Sequence, residues 1–244
     1  TKKAAVLKIA SQLDLEKFVS DLPDCPIEAY AETYPFAYSA EDVPDLHRLI
    51  ERQYLDEHHE VDLWAKRFVK TGSETNTLAM LTAITQAIKS GFYYAVRHEE
   101  GCQSPVETLD RKSGSCRDFA LLMMEVVRAL GLAARFVSGY VVPSAGNSDR
   151  SIGGGATHAW LEVYLPGAGW LEFDPTNGLV GNRDLIRVAV ARDPSQAIPV
   201  SGQWTGAPGD FIGMEVDVSL TTNNHATINC EEQKRIKVGN QVFS

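Results

Sequence analysis

"THAWLEVYLPGAGWLEFDPTNG" occupies residues 157–178, and its alternation decides how the chain is read. Successive side chains of a strand point to opposite faces. His158, Trp160, Glu162 and Tyr164 therefore share one face, while Ala159, Leu161, Val163 and Leu165 form a fully aliphatic one. In the following run Trp170, Glu172 and Asp174 fall together, with Leu171 and Phe173 opposite. If Leu165 to Gly169 is the loop of a hairpin, Tyr164 pairs with Trp170 and Trp160 with Asp174. His158 then lies one diagonal from Asp174 on the same face, about 7–8 Å away between backbones and within reach of two side chains. A loop one residue shorter would send Asp174 to the other face. The hairpin thus offers a base beside a carboxylate that can orient it, leaving the second ring nitrogen to take a proton.

A proton donor that such a base would activate stands some forty residues upstream, in "RKSGSCRDFALLMMEVVRALG" (111–131). Phe119, Leu122, Met123, Val126, Val127 and Leu130 recur at i, i+3 and i+4, and Gly131 sits where a glycine ends a helix. The spacing predicts a central helix opening at Cys116. Gly114 and Ser115 allow a tight turn and close approach of a substrate. Unpaired N–H groups at a helix start favour a thiolate. Taken alone, a cysteine in an apolar helix reads as a small core residue. Taken with His158 and Asp174, it completes a Cys, His, Asp order suited to acyl transfer.

The remaining elements fit around these two. Leu46, Leu49 and Ile50, then Trp64 and Phe68, predict two short helices separated by "DEHHEVD" (56–62). Asp56, His58, His59 and Glu60 are all potential metal ligands, but adjacent residues do not face each other on a helix. That stretch reads as a solvated charged face. "TNTLAMLTAITQAIKSG" (75–91) is a helix with an apolar stripe through Leu78, Leu81, Ile84 and Ile88, capped at Thr75 or Asn76 and ended by Gly91. "AARFVSGYVV" (133–142), 157–165 and 169–178 read as strands. "NRDLIRVAVARDPSQAIPVSG" reads as another strand and a proline-marked loop, and "DFIGMEVDVSLTT" as a strand. The Gly- and Ser-rich run 143–156 leads directly into His158, so a lid over the site and an ordinary loop are both open readings. Three parts result: a leading segment at 1–44, a core at 45–200, and a C-terminal strand and tail at 201–244.

Composition narrows the function. A net charge of −9 without a dense Lys/Arg run argues against a nucleic-acid partner. No apolar run reaches the roughly 20 residues of a membrane span, and no secretory pattern opens the chain, so the expectation is a soluble, cytoplasmic protein. Cys25, Cys102, Cys116 and Cys230 are scattered without CxxC or nearby His, which disfavours zinc and suggests reduced thiols.

"GSCRDFALLMMEVVRALGLAARFVSGYV" followed by "THAWLEVYLPGAGWLEFDPTNG" resembles the bacterial transglutaminase-like superfamily, from about Leu78 to Gly178, and "ARDPSQAIPVSGQWTG" resembles its continuation. The resemblance implies an α+β, papain-like fold with a central helix on an antiparallel sheet. It places the nucleophile at Cys116, the base at His158 and the acid at Asp174, and requires no metal or organic cofactor. The implied substrate is a peptide or protein, with hydrolysis favoured over protein-glutamine transamidation. A peptide-binding module without turnover is a third reading. Relatives often carry an N-terminal β domain, so residues 1–44 imply a truncated chain or a reduced domain. Some relatives place a Trp in the oxyanion hole, and no Trp precedes Cys116 at that point. The Cys116 N–H is one donor there, and Tyr93, Tyr94 or Gln103 is a candidate second. Trp160 and Trp170 are candidates for a substrate wall, against plain packing.

Overall fold

The computed structural model describes residues 5–17, 26–97, 99–142, 157–181, 184–203, 205–207, 209–223 and 234–243. In chain order, β1 is Ile9–Lys17 and β2 is Thr33–Tyr34. Helices α1 (Val43–Ile50) and α2 (Glu60–Lys66) follow, then β3 (Thr75–Asn76) and α3 (Thr77–Gly91). Next come β4 (Tyr93–Tyr94), α4 (Pro105–Arg111), β5 (Ser113–Gly114) and α5 (Cys116–Ala129). Strands β6 (Ala134–Val141), β7 (His158–Leu165), β8 (Gly169–Asp174), β9 (Leu179–Val180) and β10 (Leu185–Ala191) complete the main sheet. Finally β11 is Val216–Asn223 and β12 is Lys234–Phe243.

The main sheet is antiparallel, in the order β10-β6-β7-β8-β9. The hairpin register follows the alternation: Tyr164 pairs with Trp170 and Leu161 with Phe173. The aliphatic face of β7 packs on α5, as that periodicity requires. The helical stripe understates the burial of α5, however. Leu121, Met124 and Glu125, off the stripe, are as buried as Leu122 and Met123, and only Arg117 and Ala129 are partly exposed. The sheet covers one side of α5 and α2, α3 and α4 cover the others, so it is a helix enclosed on every face. Its end is a Schellman turn. Gly131 adopts φ 78°, its N–H bonds Arg128 O at 2.9 Å, and the Leu132 N–H bonds Val127 O at 3.1 Å.

Tyr38 fastens this end of the helix to the hairpin. Its hydroxyl accepts the Ala133 N–H at 2.9 Å and donates to Tyr164 O at 2.9 Å. A second antiparallel sheet, β1-β12-β11, joins residues from both ends of the sequence. Val218 and Leu220 of β11 and Leu15 of β1 pack on Tyr140 and Ile186, covering part of the outer face of the main sheet.

The structure departs from the sequence reading in four places. The leading segment contains a strand, β1, whose pairing partner lies at the far end of the chain. The run from Asp210 enters β11 only at Val216. The strand expected over 169–178 ends at Asp174, because Pro175 has no N–H to continue the ladder and the Asp174 side chain closes a turn. Helix α4 was not anticipated; Ser104 caps it by accepting the Glu107 N–H at 3.1 Å, with Pro105 at its first position. In "DEHHEVD", Asp56 accepts the Glu60 and Val61 N–H groups at 2.8 and 3.0 Å and so serves the start of α2. The run 143–156, the candidate lid, lies outside the described residues.

Candidate active site

Cys116 opens α5 and is 8% exposed. The turn before it is held in a short parallel ladder, in which the Ala95 N–H donates to Gly114 O at 2.9 Å and the Tyr93 N–H to Lys112 O at 2.8 Å. Gly114 must be glycine. A Cβ there would lie 2.8 Å from Asp118 Cβ and 2.9 Å from Gln103 Nε2. Asp118, fully buried in the first turn, accepts the Ser115 N–H at 2.7 Å and the Ser115 hydroxyl at 2.8 Å.

His158 begins β7 and is almost wholly buried. Its Nε2 lies 2.8 Å from Asp174 Oδ2. Its Nδ1 is buried without a hydrogen bond of regular geometry, while the ring still interacts with the Cys116 thiol. Asp174 is saturated. Oδ1 accepts the Thr176 and Asn177 N–H groups at 2.9 and 3.1 Å, and Oδ2 accepts Asn177 Nδ2 at 2.8 Å as well as His158.

Burial alone would favour neutral forms of both partners. For His158 the Asp174 carboxylate and the Cys116 thiol outweigh it, and the pKa is pushed up to about 10. For Asp174 the His158 ring and the Asn177 donors outweigh burial, and the pKa is lowered.

The structure sorts the other candidates. Trp160 is fully buried and stacks on His158 with centroids 5.9 Å apart and an interplanar angle of 26°. It packs with Val137, Val141 and Leu185, forming a floor under the His158 ring. Gly139, opposite His158 on β6, makes room for it; a Cβ there would lie 2.8 Å from Trp160 Cη2 and 1.9 Å from Ile186 O. Trp170 is four residues up β8 from Asp174, roughly 13 Å along the strand. Arg135 covers its ring at 4.0 Å and Tyr164 packs its edge, so the structure does not bring it to the triad residues. Tyr93 is 76% exposed. Tyr94, of opposite parity, packs on Phe119 and interacts with Cys116. Gln103 is buried, with Nε2 donating to Ser113 O at 2.8 Å. Cys102 and Cys116 are free thiols. A cavity of about 620 Å³ lined by Trp64, Phe68, Phe92 and Lys112 opens among the helices, apart from these residues.

Sequence reasoning missed Asn177 and Asp118. The signal for Asn177 was its place in "DPTN", three residues past Asp174. The signal for Asp118 was an acidic residue three positions past Ser115 at a helix start.

The sequence profile of the transglutaminase-like superfamily matches residues 64–175, which contain Cys116, His158 and Asp174. The chain carries a transglutaminase-like domain. An uncharacterized Mycobacterium tuberculosis protein is 40% identical over 119 residues, covering 46% of this chain and 38% of the relative. The protein-glutamine gamma-glutamyltransferase of Pseudomonas aeruginosa is 41% identical over 70 residues, 28% of this chain and 10% of that enzyme. A solved structure from Cytophaga hutchinsonii, provisionally named a cysteine protease, is 26% identical with a TM-score of 0.52, covering 68% of this chain and 53% of that one. The chain spans about two fifths of the mycobacterial relatives it matches. The transglutaminase-like domain has the expected α+β, papain-like fold, with α5 on the antiparallel sheet.

Proposed function

We propose that this transglutaminase-like domain catalyses cysteine-dependent acyl transfer on a peptide or Gln-like amide. The observation that carries the reading is the buried His158–Asp174 pair, whose ring interacts with a cysteine at the start of α5. The Cys116 thiolate attacks the carbonyl carbon, and the oxyanion is held by the Cys116 N–H. Tyr94 supplies the second donor. It faces Cys116 whereas Tyr93 faces solvent, and its pKa, pushed up to about 12 by burial and by the charges of Cys116 and Asp118, keeps its hydroxyl protonated. As the tetrahedral intermediate collapses, the carbon–nitrogen bond breaks and His158 gives its proton to the departing amine. Water then attacks the thioester, His158 takes its proton, and the carboxylic acid leaves as the thiolate is restored.

Hydrolysis is favoured by the likeness to the Cytophaga protein. Transamidation, in which an amine replaces water, is the second reading and rests on the similarity to the Pseudomonas glutamyltransferase. One experiment addresses both. Cleavage of a peptide library and incorporation of a labelled amine into a Gln-containing protein are measured for wild type and Cys116→Ala. The variant is expected to lose at least about 10⁴-fold in whichever activity is present; activity retained in Cys116→Ala would overturn the proposal.

A further inference from the structure

We propose that Asp118 and Arg97 are positioning residues that lock the turn before Cys116 and balance the charge around its sulfur. The inference rests on Cys116 being the nucleophile. Asp118 Oδ2 holds the Ser115 N–H and hydroxyl, while Oδ1 accepts the Gln103 N–H at 2.7 Å and Arg97 Nη1 at 2.9 Å. Four donors fill the acceptor positions of one carboxylate. They come from the residue before the nucleophile, from the segment leaving β4 and from the segment entering α4. One buried side chain therefore ties together the three strips of backbone around Cys116.

A carboxylate in this position carries a liability. Two residues beyond a thiolate and in a medium of low polarity, its negative charge opposes ionisation of the sulfur. Arg97, whose side chain is 18% exposed, supplies the compensating cation. The same guanidinium reaches Gly101 O at 3.4 Å and lies 3.6 Å from Glu99 Oε2, so it also closes the 97–101 loop. Among the described residues, the other titratable groups around this point are His158 from β7, Tyr94 from β4, and Cys102 with Asp193 beyond it. Arg117, next on α5, turns away to Pro194 O at 2.7 Å and Ala197 O at 3.3 Å. Among the described residues Arg97 is thus the cation that pairs with Asp118, and opposite charges beside a sulfur act on it with opposite signs.

The signs yield a test that a purely structural role does not pass. Alkylation of Cys116 by iodoacetamide is followed from pH 4 to 10 by mass spectrometry of the Cys116 peptide, beside melting temperatures and kcat. Arg97→Gln leaves Asp118 uncompensated, so the apparent pKa rises and the rate at pH 6 falls on the order of tenfold per unit of rise. Asp118→Asn leaves Arg97 uncompensated, so the apparent pKa falls while kcat drops as the turn loosens. Arg97→Lys keeps the charge and stays near the wild-type pKa. Shifts of one sign in the two charge-removing variants, or no shift with lowered melting temperatures, would overturn the proposal. If Arg97→Gln does not fold, Asp118→Asn decides: a lowered pKa supports the balance and an unchanged or raised one refutes it. A wild-type Cys116 that alkylates like an ordinary thiol overturns the nucleophile assignment and this inference with it, whereas the variant pattern overturns this inference alone.

Discussion

Asp174 and His158 hold opposite charges out of water, and the pH dependence of stability follows from that. A raised histidine pKa adds stability that is complete below the ordinary value of 6.5 and is lost as pH rises through about 10. A lowered aspartate pKa adds stability that is complete above the ordinary 3.8 and is lost in more acidic solution. The melting-temperature gap between wild type and Asp174→Asn is therefore expected to be widest between those two ordinary values. It should narrow toward pH 10 and toward pH 2; a gap constant from pH 3 to 10, measured by calorimetry, would refute the pairing as a charged one. The relation of these two side chains was legible because strand parity and loop length fix which face a residue takes. Parity does not fix position along the strand, which is why Trp170 shares a face with Asp174 yet sits with Arg135 instead. Asp118 was legible only as a cap for Ser115, because Arg97 and Gln103 reach it through folding, while Asn177 was marked only by its place three residues past Asp174.

At the level of elements, strand β6 works through a missing side chain. Gly139 lets Trp160 lie beneath His158, and Ile186 O occupies the space a methyl group would need. Gly139→Ala is expected to cost about 1–3 kcal/mol in urea unfolding, as overpacking does, and to lower kcat as well by displacing the indole that floors the base. An enzyme with wild-type kcat and the same stability loss would show that Trp160 only fills space. The helices and strands announced themselves unequally. Helix α5 carries a long 3.6-residue period and a stop glycine, and both features survive in the structure. Helix α4 has seven residues, too few to display a period, and only its Ser-Pro-x-Glu start marked it. Strand β1 has no local signal of its own, since its ladder is completed by residues more than two hundred positions away.

Across the whole molecule, a buried ion network binds the segment after α1 to α5 and the main sheet. Glu125, with no exposed surface, accepts Arg52 Nε and Arg128 Nη1, both at 3.0 Å. Arg128 in turn donates to Leu49 O, Ala134 O and Arg192 O at 3.0, 2.9 and 2.7 Å. Glu125→Ala strands Arg128 without its counter-ion and is expected to cost about 3–5 kcal/mol. Arg48→Ala, which breaks the exposed Arg48–Glu51 pair, is expected to cost less than about 1 kcal/mol. Equal shifts of the urea midpoint would contradict this ranking. Such a network was invisible in the sequence, where Glu125 and Arg128 look like ordinary interruptions of an apolar helix.

On the same scale, the Tyr38 hydroxyl makes α5 and β7 the two arms of a pair of tweezers. Cys116 sits at the tip of one arm and His158 at the tip of the other. The arms are about 21 and 26 Å long by their residue counts of 14 and 8, and they are clasped at the opposite end, where Ala133 and Tyr164 share one phenol. Tyr38 touches neither the sulfur nor the imidazole, yet loss of its two hydrogen bonds is expected to alter the gap between them. Tyr38→Phe keeps the ring, removes both bonds, and should lower kcat with little change in KM.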